Sequence, residues 1–340
     1  MNFRSWRSNL DQIISEIQRV ALGDGEIKIL SINDRVSFGL PKDKSLAREV
    51  VNLYRPMKWK ARLVAAMLKK FVGFGGARLL KPVSTIGNSP EISWLNNEAT
   101  IGFLGCNPGH GLRCIVLSRE GHEQIKVTKL AVGGNVAPVR NEGMFLERVS
   151  GRVPGLPRYG GSSVGGDWAA FWTEYLPKNG PRELGGKLEI ALLNSWLGET
   201  RVKLKHLFWV EKLLAEAPSD LCLRLDNIVI KEALLHGDFT PWNLRSGREG
   251  LVAIDWEWAR EDGIGGVDLG HGLIMQGKLV YGLQGEGLVD YVLSKISGEE
   301  QAKYLSECGW DDEKLWLAFS LLYARHFADV NVAEELDILL

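Results

Sequence analysis

Apolar residues recur along this chain at two spacings, one typical of helices and one typical of strands. Near the N-terminus, residues 9–21 repeat apolar positions at helical spacing, and "EIKILSI" alternates as a strand does. The segments "KDKSLAREVVNLYRP" and "MKWKARLVAAMLKKFV" then predict two further helices, the first closed by Pro56. We interpret residues 1–92 as an N-terminal α/β extension of unknown role.

Short strands and glycines dominate residues 93–177, and long helical patterns dominate residues 178–340. The first range predicts strands in "TIGFLGCNPGHGLRCIVLS", "EQIKVTKLA" and "DWAAFWTEYLP", with a short helix in "VRNEGMFLERV". The second predicts helices in "KLEIALLNSWL", "VKLKHLFWVEKLLAEA" and "EKLWLAFSLLYARHFADV". Strands followed by helices indicate an α+β protein of two lobes, a small antiparallel-sheet lobe and a mostly helical one.

The helix predicted around residues 58–71 is basic and amphipathic. It places Trp59, Leu63, Met67 and Phe71 on one side, against several lysines and arginines. Such a helix can pack on its own domain, which is the common case for an amphipathic pattern, or contact an anionic membrane surface. The sequence leaves both interpretations open.

Composition excludes several classes of function. The 340 residues include 41 Lys and Arg against 42 Asp and Glu, so bulk electrostatics do not favour binding to nucleic acid. The four cysteines form no CxxC pair, which argues against zinc and against a disulfide framework. The N-terminus lacks the apolar core of a signal peptide, and no apolar run is long enough to cross a bilayer. We therefore expect a cytoplasmic protein without a transmembrane segment.

The stretch "LLHGDFTPWNLR", followed by "LVAIDWEW", carries the candidate chemistry. Asp238 can accept a proton from a substrate hydroxyl, while the amide oxygen of Asn243, five residues later, can bind Mg²⁺. Asp255, at the end of an apolar strand, would add a second oxygen ligand beside nucleotide phosphates. The alternative is a polar turn, since Gly, Asp, Pro and Asn are common turn residues.

Together with "GVDLGHGL", these segments resemble the catalytic region of the aminoglycoside phosphotransferase and choline kinase-like family, which has a protein-kinase-like fold. The resemblance spans about residues 95–330 and is specific only over 234–272. It implies that Asp238 is the catalytic base, that Asn243 and Asp255 bind Mg²⁺, and that His236 supports the loop backbone. The later Asp268 matches a family position with a structural role.

The resemblance also requires a nucleotide site in the strand-rich region. A kinase-like lobe needs a strand lysine that binds phosphates and a helix glutamate that orients it, and Lys129 and Glu142 fit these roles. Lys126 and Glu147 are the rival pair, although Lys126 should point to the opposite side of its strand. Gly109 and Gly111 lie where a phosphate-covering loop belongs, or in a hairpin turn. Backbone groups of Glu174 to Leu176 would contact the purine.

Two departures from protein kinases bear on the acceptor. Gly237 stands where protein kinases carry arginine, and Asp268 follows Asp255 by only 13 positions, too few for a peptide-binding platform. We therefore expect a small-molecule acceptor. An aromatic and acidic cluster could bind a cationic or sugar-like acceptor, or be core tryptophans beside a solvated turn. Its members are Trp242, Trp256, Glu257, Trp258, Glu261 and Asp262.

The sequence thus predicts an ATP- or GTP-dependent, Mg²⁺-dependent phosphotransferase acting on a hydroxyl of a small molecule. The alternative is a nucleotide-binding pseudokinase or scaffold whose N-terminal segment recruits a partner. The sequence specifies neither the acceptor nor the oligomeric state.

Overall fold

The computed structural model describes residue 17 and residues 25–32, 36–56, 59–85, 92–95, 100–106 and 111–340. The helix predicted over 9–21 lies outside this part of the chain, except for Ile17, which is helical and buried. The chain divides into two compact units. The first comprises residues 1–150 and 157–177, and the second comprises residues 151–156 and 178–340.

The first unit is built on one antiparallel sheet. Its strands are β1 (Gly25–Ser31), β2 (Val36–Leu40), β3 (Pro82–Thr85), β4 (Thr100–Cys106), β5 (Gly111–Arg119), β6 (Lys126–Gly133), β7 (Tyr159–Val164) and β8 (Trp168–Glu174). They are ordered β3-β1-β2-β4-β5-β6-β8-β7. The helices are α1 (Lys44–Asn52), α2 (Trp59–Gly73) and α3 (Val136–Val149), with a 3-10 turn at Gly76–Leu79. The predicted strands and helices of this region are confirmed.

The strands of residues 25–85 belong to the same sheet as those of residues 100–174. Strand β2 pairs with β4 in register, with Phe38 opposite Leu104. Residues 1–92 are predicted as an extension because local periodicity carries no information about which strands pair. In the structure, the described strands of that range lengthen the sheet instead of forming a layer of their own.

Two apolar clusters cover the two faces of this sheet. Neighbouring residues of a strand point to opposite faces, so Phe103 and Leu104 enter different clusters. One cluster contains Phe103, Leu130 and Trp168, and the other contains Phe38, Val50 and Leu117. Helix α1, which begins at the N-cap Asp43, packs its apolar side into the second cluster.

The second unit is mostly helical. Its helices are α4 (Lys187–Asn194), α5 (Phe208–Leu214), α6 (Ser219–Leu225), α7 (Val267–Gln276), α8 (Gly285–Ile296), α9 (Glu299–Cys308), α10 (Glu313–Ala328) and α11 (Ala333–Leu339). Its strands are β9 (Leu197–Lys203), β10 (Val229–Leu235), β11 (Leu244–Ser246), β12 (Leu251–Ala253) and β13 (Arg260–Ile264). Short turns are the 3-10 segments Leu204–His206 and Pro241–Asn243 and the π-helical segment Gly277–Tyr281. The predicted α+β architecture, with a sheet unit followed by a helical unit, is confirmed.

One predicted helix is partly wrong. The segment "VKLKHLFWVEKLLAEA" begins in strand β9 and a 3-10 turn, and its helix starts only at Phe208. Val202 is opposite Ile230 in the β9–β10 ladder, and this tertiary pairing outweighs the helical spacing of the local sequence.

Among the described residues, none of the helices combines the length and the apolar character that a bilayer crossing requires.

We expect the segment before residue 92 to be required for the stability of the sheet unit. Phe38 is fully buried, so Phe38→Ala should lower the free energy of unfolding by about 3–5 kcal/mol through the cavity it leaves. Leu79, in the same segment, is 83% exposed, and Leu79→Ala should change it by less than about 0.5 kcal/mol. Guanidinium unfolding followed by circular dichroism measures both. Equal values for the two variants would contradict the structure.

Candidate functional site

The loop between β10 and β11 begins at His236, whose side chain is buried and fully hydrogen-bonded. Its Nε2 lies 3.0 Å from the carbonyl oxygen of Ile254, and its Nδ1 accepts from the backbone N–H of Asp238 at 3.2 Å. One ring nitrogen therefore donates and the other accepts, which is the neutral tautomer with its proton on Nε2. His236 connects the loop to the residue before Asp255. Its position suits support of the backbone and not contact with a substrate.

The backbone of the same loop is held by the Asp268 carboxylate. Its Oδ2 accepts from His236 N–H at 2.7 Å, and its Oδ1 accepts from Gly237 N–H at 2.9 Å. Asp268 lies in the first turn of α7, where the helix dipole favours an anion. Burial raises the pKa of Asp268, and the two N–H donors act in the opposite direction.

Aromatic side chains fix the start of helix α7. The indole N–H groups of Trp310 and Trp316 donate to the carbonyl oxygens of Gly265 and Gly266, at 2.9 and 3.1 Å. The N–H of Gly266 donates to the Tyr304 hydroxyl at 3.0 Å. The helix that carries Asp268 is therefore anchored at its first turn.

Gly237 occupies a position that no other residue fits. Its φ is +86°, in the left-handed region, and a Cβ there would lie 2.6 Å from Cβ of Trp258 and 2.7 Å from its carbonyl oxygen. The loop passes directly against the backbone of residue 258. An arginine at this position would require the loop to take another path.

The Asp238 carboxylate is held from two sides. The Asn243 amide nitrogen donates to Oδ2 at 2.9 Å and to the Asp238 carbonyl oxygen at 3.0 Å. The Nε2 of His271 lies 3.5 Å from Oδ1. The Asp238 side chain is 31% exposed, whereas His271 is buried. A fixed, partly accessible carboxylate meets the geometric requirement for a general base.

His271 is not among the site residues predicted from the sequence. It lies three residues after Asp268 on α7, so both side chains are on one side of the helix and reach the same loop. The helix approaches closely at Gly272, where a Cβ would lie 2.0 Å from the Phe239 carbonyl oxygen. The spacing from Asp268 was a usable signal, but only once the loop was known to pack on this helix.

Asp255 has an unusual backbone. Its φ is +71°, and among described residues other than glycine only Asp329 shares a positive φ. The preceding Ile254 is bound to both ends of the loop, because its N–H donates to the Asn243 carbonyl at 2.8 Å and its carbonyl lies 3.0 Å from His236 Nε2. A strained residue held this firmly is a common feature of functional sites.

The residues present fit a Mg²⁺ ion with oxygen ligands. The amide nitrogen of Asn243 is used by Asp238, so its amide oxygen is the atom left for a cation. Asn243 and Asp255 stand at the same end of the β11–β12 ladder, where Leu244 is opposite Ala253. Within the described part of the chain, no group of three or more His, Cys, Asp or Glu forms a metal cage. Mg²⁺ usually takes few protein ligands together with water and phosphate oxygens.

In the first unit, the structure brings Lys129 and Glu142 together. Lys129 lies on β6, between β5 and β8, and its Nζ is 2.5 Å from Oε2 of Glu142 on α3. Glu142 is buried, whereas the rival Glu147 is exposed. The rival Lys126 places its ammonium 5.4 Å from the ring centroid of Trp172.

The structure tells different things about the remaining residues that were predicted to contact the nucleotide, which are two glycines and the segment Glu174 to Leu176. Gly109 lies outside the described residues, and Gly111 is the first residue of β5, opposite Gly133. The N–H of Glu174 donates to the Arg158 carbonyl at 3.1 Å and is committed to the sheet. Leu176 follows β8 and lies beyond its ladder.

The aromatic and acidic cluster divides between core and surface. Trp256 is buried, donates to the Ala253 carbonyl at 2.7 Å, and lies 4.5 Å from the His236 ring between centroids. It supports the loop. Trp258 is 53% exposed. The Asp262 carboxylate accepts hydrogen bonds from Nε and Nη2 of Arg260, at 3.0 and 3.1 Å, and so forms a surface ion pair.

No family model matches the sequence, and no curated protein matches it. Among solved structures, the chain is similar to an aminoglycoside-3'-phosphotransferase of type VIII, at 18% identity and a TM-score of 0.31, over 68% of this chain and 88% of that one. It is also similar to a proposed fructosamine-3-kinase from Haemophilus somnus 129PT, at 12% identity and a TM-score of 0.36, over 67% and 85%. Both are named as small-molecule phosphotransferases of the protein-kinase-like type that the loop motif resembles.

We expect Gly237 to be intolerant of even one methyl group. Gly237→Ala should lower the free energy of unfolding by about 1–3 kcal/mol through the collision with Trp258, in addition to about 1 kcal/mol for the left-handed backbone. Gly282 is the matched control, since its φ is +70° and nothing lies within 4 Å of its Cβ position. Gly282→Ala should show only the backbone cost. Urea unfolding compares the two, and equal losses would rule out the close approach at Gly237.

Proposed function

We propose that this protein is a Mg²⁺-dependent phosphotransferase that moves the γ-phosphate of ATP or GTP to a hydroxyl of a small molecule. The observation that supports this most strongly is the geometry of the loop from His236 to Asn243. One accessible carboxylate is fixed there by the Asn243 amide, and Ile254, which precedes the strained Asp255, is hydrogen-bonded to the same loop. Phosphoryl transfer needs mainly such positioned groups and neutralised charge.

Asp238 is the proposed general base. Asn243 and His271 hold its carboxylate, so an oxygen can face an incoming hydroxyl without rearrangement of the side chain. The base would orient the hydroxyl and accept its proton as the new P–O bond forms. His236 acts as a positioning residue in this scheme, because its contacts are with the backbone of the loop.

Asn243 and Asp255 would hold Mg²⁺, which when bound supplies charge neutralisation at the phosphates. Lys129, oriented by Glu142, would bind the nucleotide phosphates as a point charge. The backbone around Leu176 remains the proposed contact for the purine.

A small acceptor is supported by two features of the second unit. The loop has no arginine at position 237, and the packing of Gly237 against Trp258 leaves no space for one. Only a short segment, containing β13, joins Asp255 to α7, and it leaves little chain for a peptide-binding platform.

Replacement of the base should separate chemistry from binding. Asp238→Asn keeps an oxygen for Asn243 but removes the proton acceptor, so kcat should fall about 10²- to 10⁴-fold while binding of ATP is retained. A coupled assay of ADP release over hydroxyl-bearing metabolites and aminoglycosides finds the acceptor and measures the loss. Asp311→Asn, an exposed substitution, should leave turnover unchanged. Equal turnover in the Asp238 variant and the wild type would remove Asp238 from the mechanism.

Replacement of the second aspartate should affect the metal. Asp255→Asn removes one charge but suits a positive φ, so the loop should stay folded while Mg²⁺–ATP binds at least roughly tenfold more weakly. Asp329 is the matched control, because it is also an aspartate with a positive φ, at +50°. Calorimetric titration with ATP, with and without Mg²⁺, measures the effect. Equal affinities for Asp255→Asn and Asp329→Asn would contradict the metal assignment.

A further inference from the structure

Helix α2 turns large apolar side chains towards solvent. Leu63 and Met67 are 56% and 63% exposed, and Phe74, just beyond the helix end, is 90% exposed. Residues spaced by four and seven positions lie on one side of a helix, so these three side chains form a stripe. The side that packs on the sheet unit carries Ala65 and Val72 instead. The exposed stripe is the reverse of an ordinary surface helix, which directs polar residues outwards.

The apolar stripe continues into the turn after the helix and is surrounded by cations. Leu79, in the 3-10 turn, is 83% exposed. We call these four side chains and their basic neighbours the α2 patch. Its members are Lys60, Leu63, Met67, Lys70, Phe74, Arg78 and Leu79, all of them exposed. Single exposed apolar residues are ordinary, but four along one helix and its following turn are not.

The charge of this segment is one-sided. Between Val50 and Pro90 the sequence has eight Lys and Arg and no Asp or Glu, in a chain whose overall charge is balanced. The preceding acid, Glu49, accepts from the Tyr175 hydroxyl and from Asn52. Like charges crowded on one short segment repel one another. A partner with negative charge would relieve this repulsion.

The combination of charge and apolar area selects among partners. The phosphates of a nucleic acid would attract the cations, but a nucleic acid offers no apolar phase in which the stripe could be buried. A second copy would bring the same cations face to face, because a two-fold interface pairs a surface with itself. An anionic bilayer satisfies both features, since its phosphates attract lysine and arginine while Leu, Met and Phe enter the boundary with the acyl chains.

We propose that the α2 patch docks this protein on the surface of an anionic membrane, with helix α2 lying in the plane of the headgroups. No helix among the described residues could span the bilayer, so the contact is peripheral. The proposal concerns the first unit only and does not depend on the phosphotransferase activity.

Sedimentation of the full chain with vesicles tests this. We expect binding to phosphatidylcholine vesicles that contain about one third phosphatidylglycerol, weak binding to pure phosphatidylcholine, and loss of binding as NaCl is raised. Lys60→Gln with Lys70→Gln should lower the partition coefficient roughly thirtyfold. Phe74→Ser with Leu79→Ser should lower it at least roughly tenfold. All four side chains are exposed, so thermal unfolding should be unchanged.

The matched control carries the same kinds of substitution in the second unit. Leu223 is 75% exposed on α6, and Lys203 is exposed on β9. Leu223→Ser with Lys203→Gln should bind vesicles as the wild type does. Three results would overturn the proposal. They are a wild type that does not bind anionic vesicles, equal binding to both vesicle types, and patch variants that bind as the wild type does. A wild type that dimerises through Phe74 without binding vesicles would identify a second copy as the partner instead.

Discussion

The geometry of the candidate site depends on the hydrogen bonds that the buried Asp268 carboxylate accepts from the loop. The carboxylate binds the N–H groups of two successive loop residues, His236 and Gly237. From there the contacts continue from His236 to Ile254, from Ile254 to Asn243, and from Asn243 to Asp238. Burial of a carboxylate costs several kcal/mol unless hydrogen bonds and a favourable dipole offset it. Here the two N–H donors and the first turn of α7 offset part of that cost, which couples the position of the helix to that of the base.

The parts of the site that could be predicted are those where chemistry demands particular residue types at short spacing. Asp238 and Asn243 are five residues apart and share hydrogen bonds, and Lys129 reaches Glu142 from a neighbouring element. Short spacing within one loop brings Asp238 and Asn243 together, whereas Lys129 and Glu142 were paired through the family resemblance, which supplies the contact between a strand and a helix. The same locality explains why the strands around Lys129 and the long helix from Glu313 were predicted correctly.

Features that depend on distant packing could not be predicted in this way. Val202 lies in a strand because Ile230 pairs with it, and the strands before residue 92 join the sheet through β2 and β4. His271 approaches Asp238 only because α7 packs closely on the loop at Gly272. The exposed side of α2 was also inaccessible to periodicity, which reports an amphipathic helix but not which of two apolar sides faces the core.

The added strands also change where the large sheet ends. Without them β4 would be a terminal strand of seven residues, whereas the sheet now ends at β3, a strand of four residues that starts with Pro82. Proline has no N–H to offer a further strand, and a short edge gives another chain little to pair with. The extra segment therefore leaves, at this end of the sheet, an edge that is less suited to pairing with another chain than β4 would be.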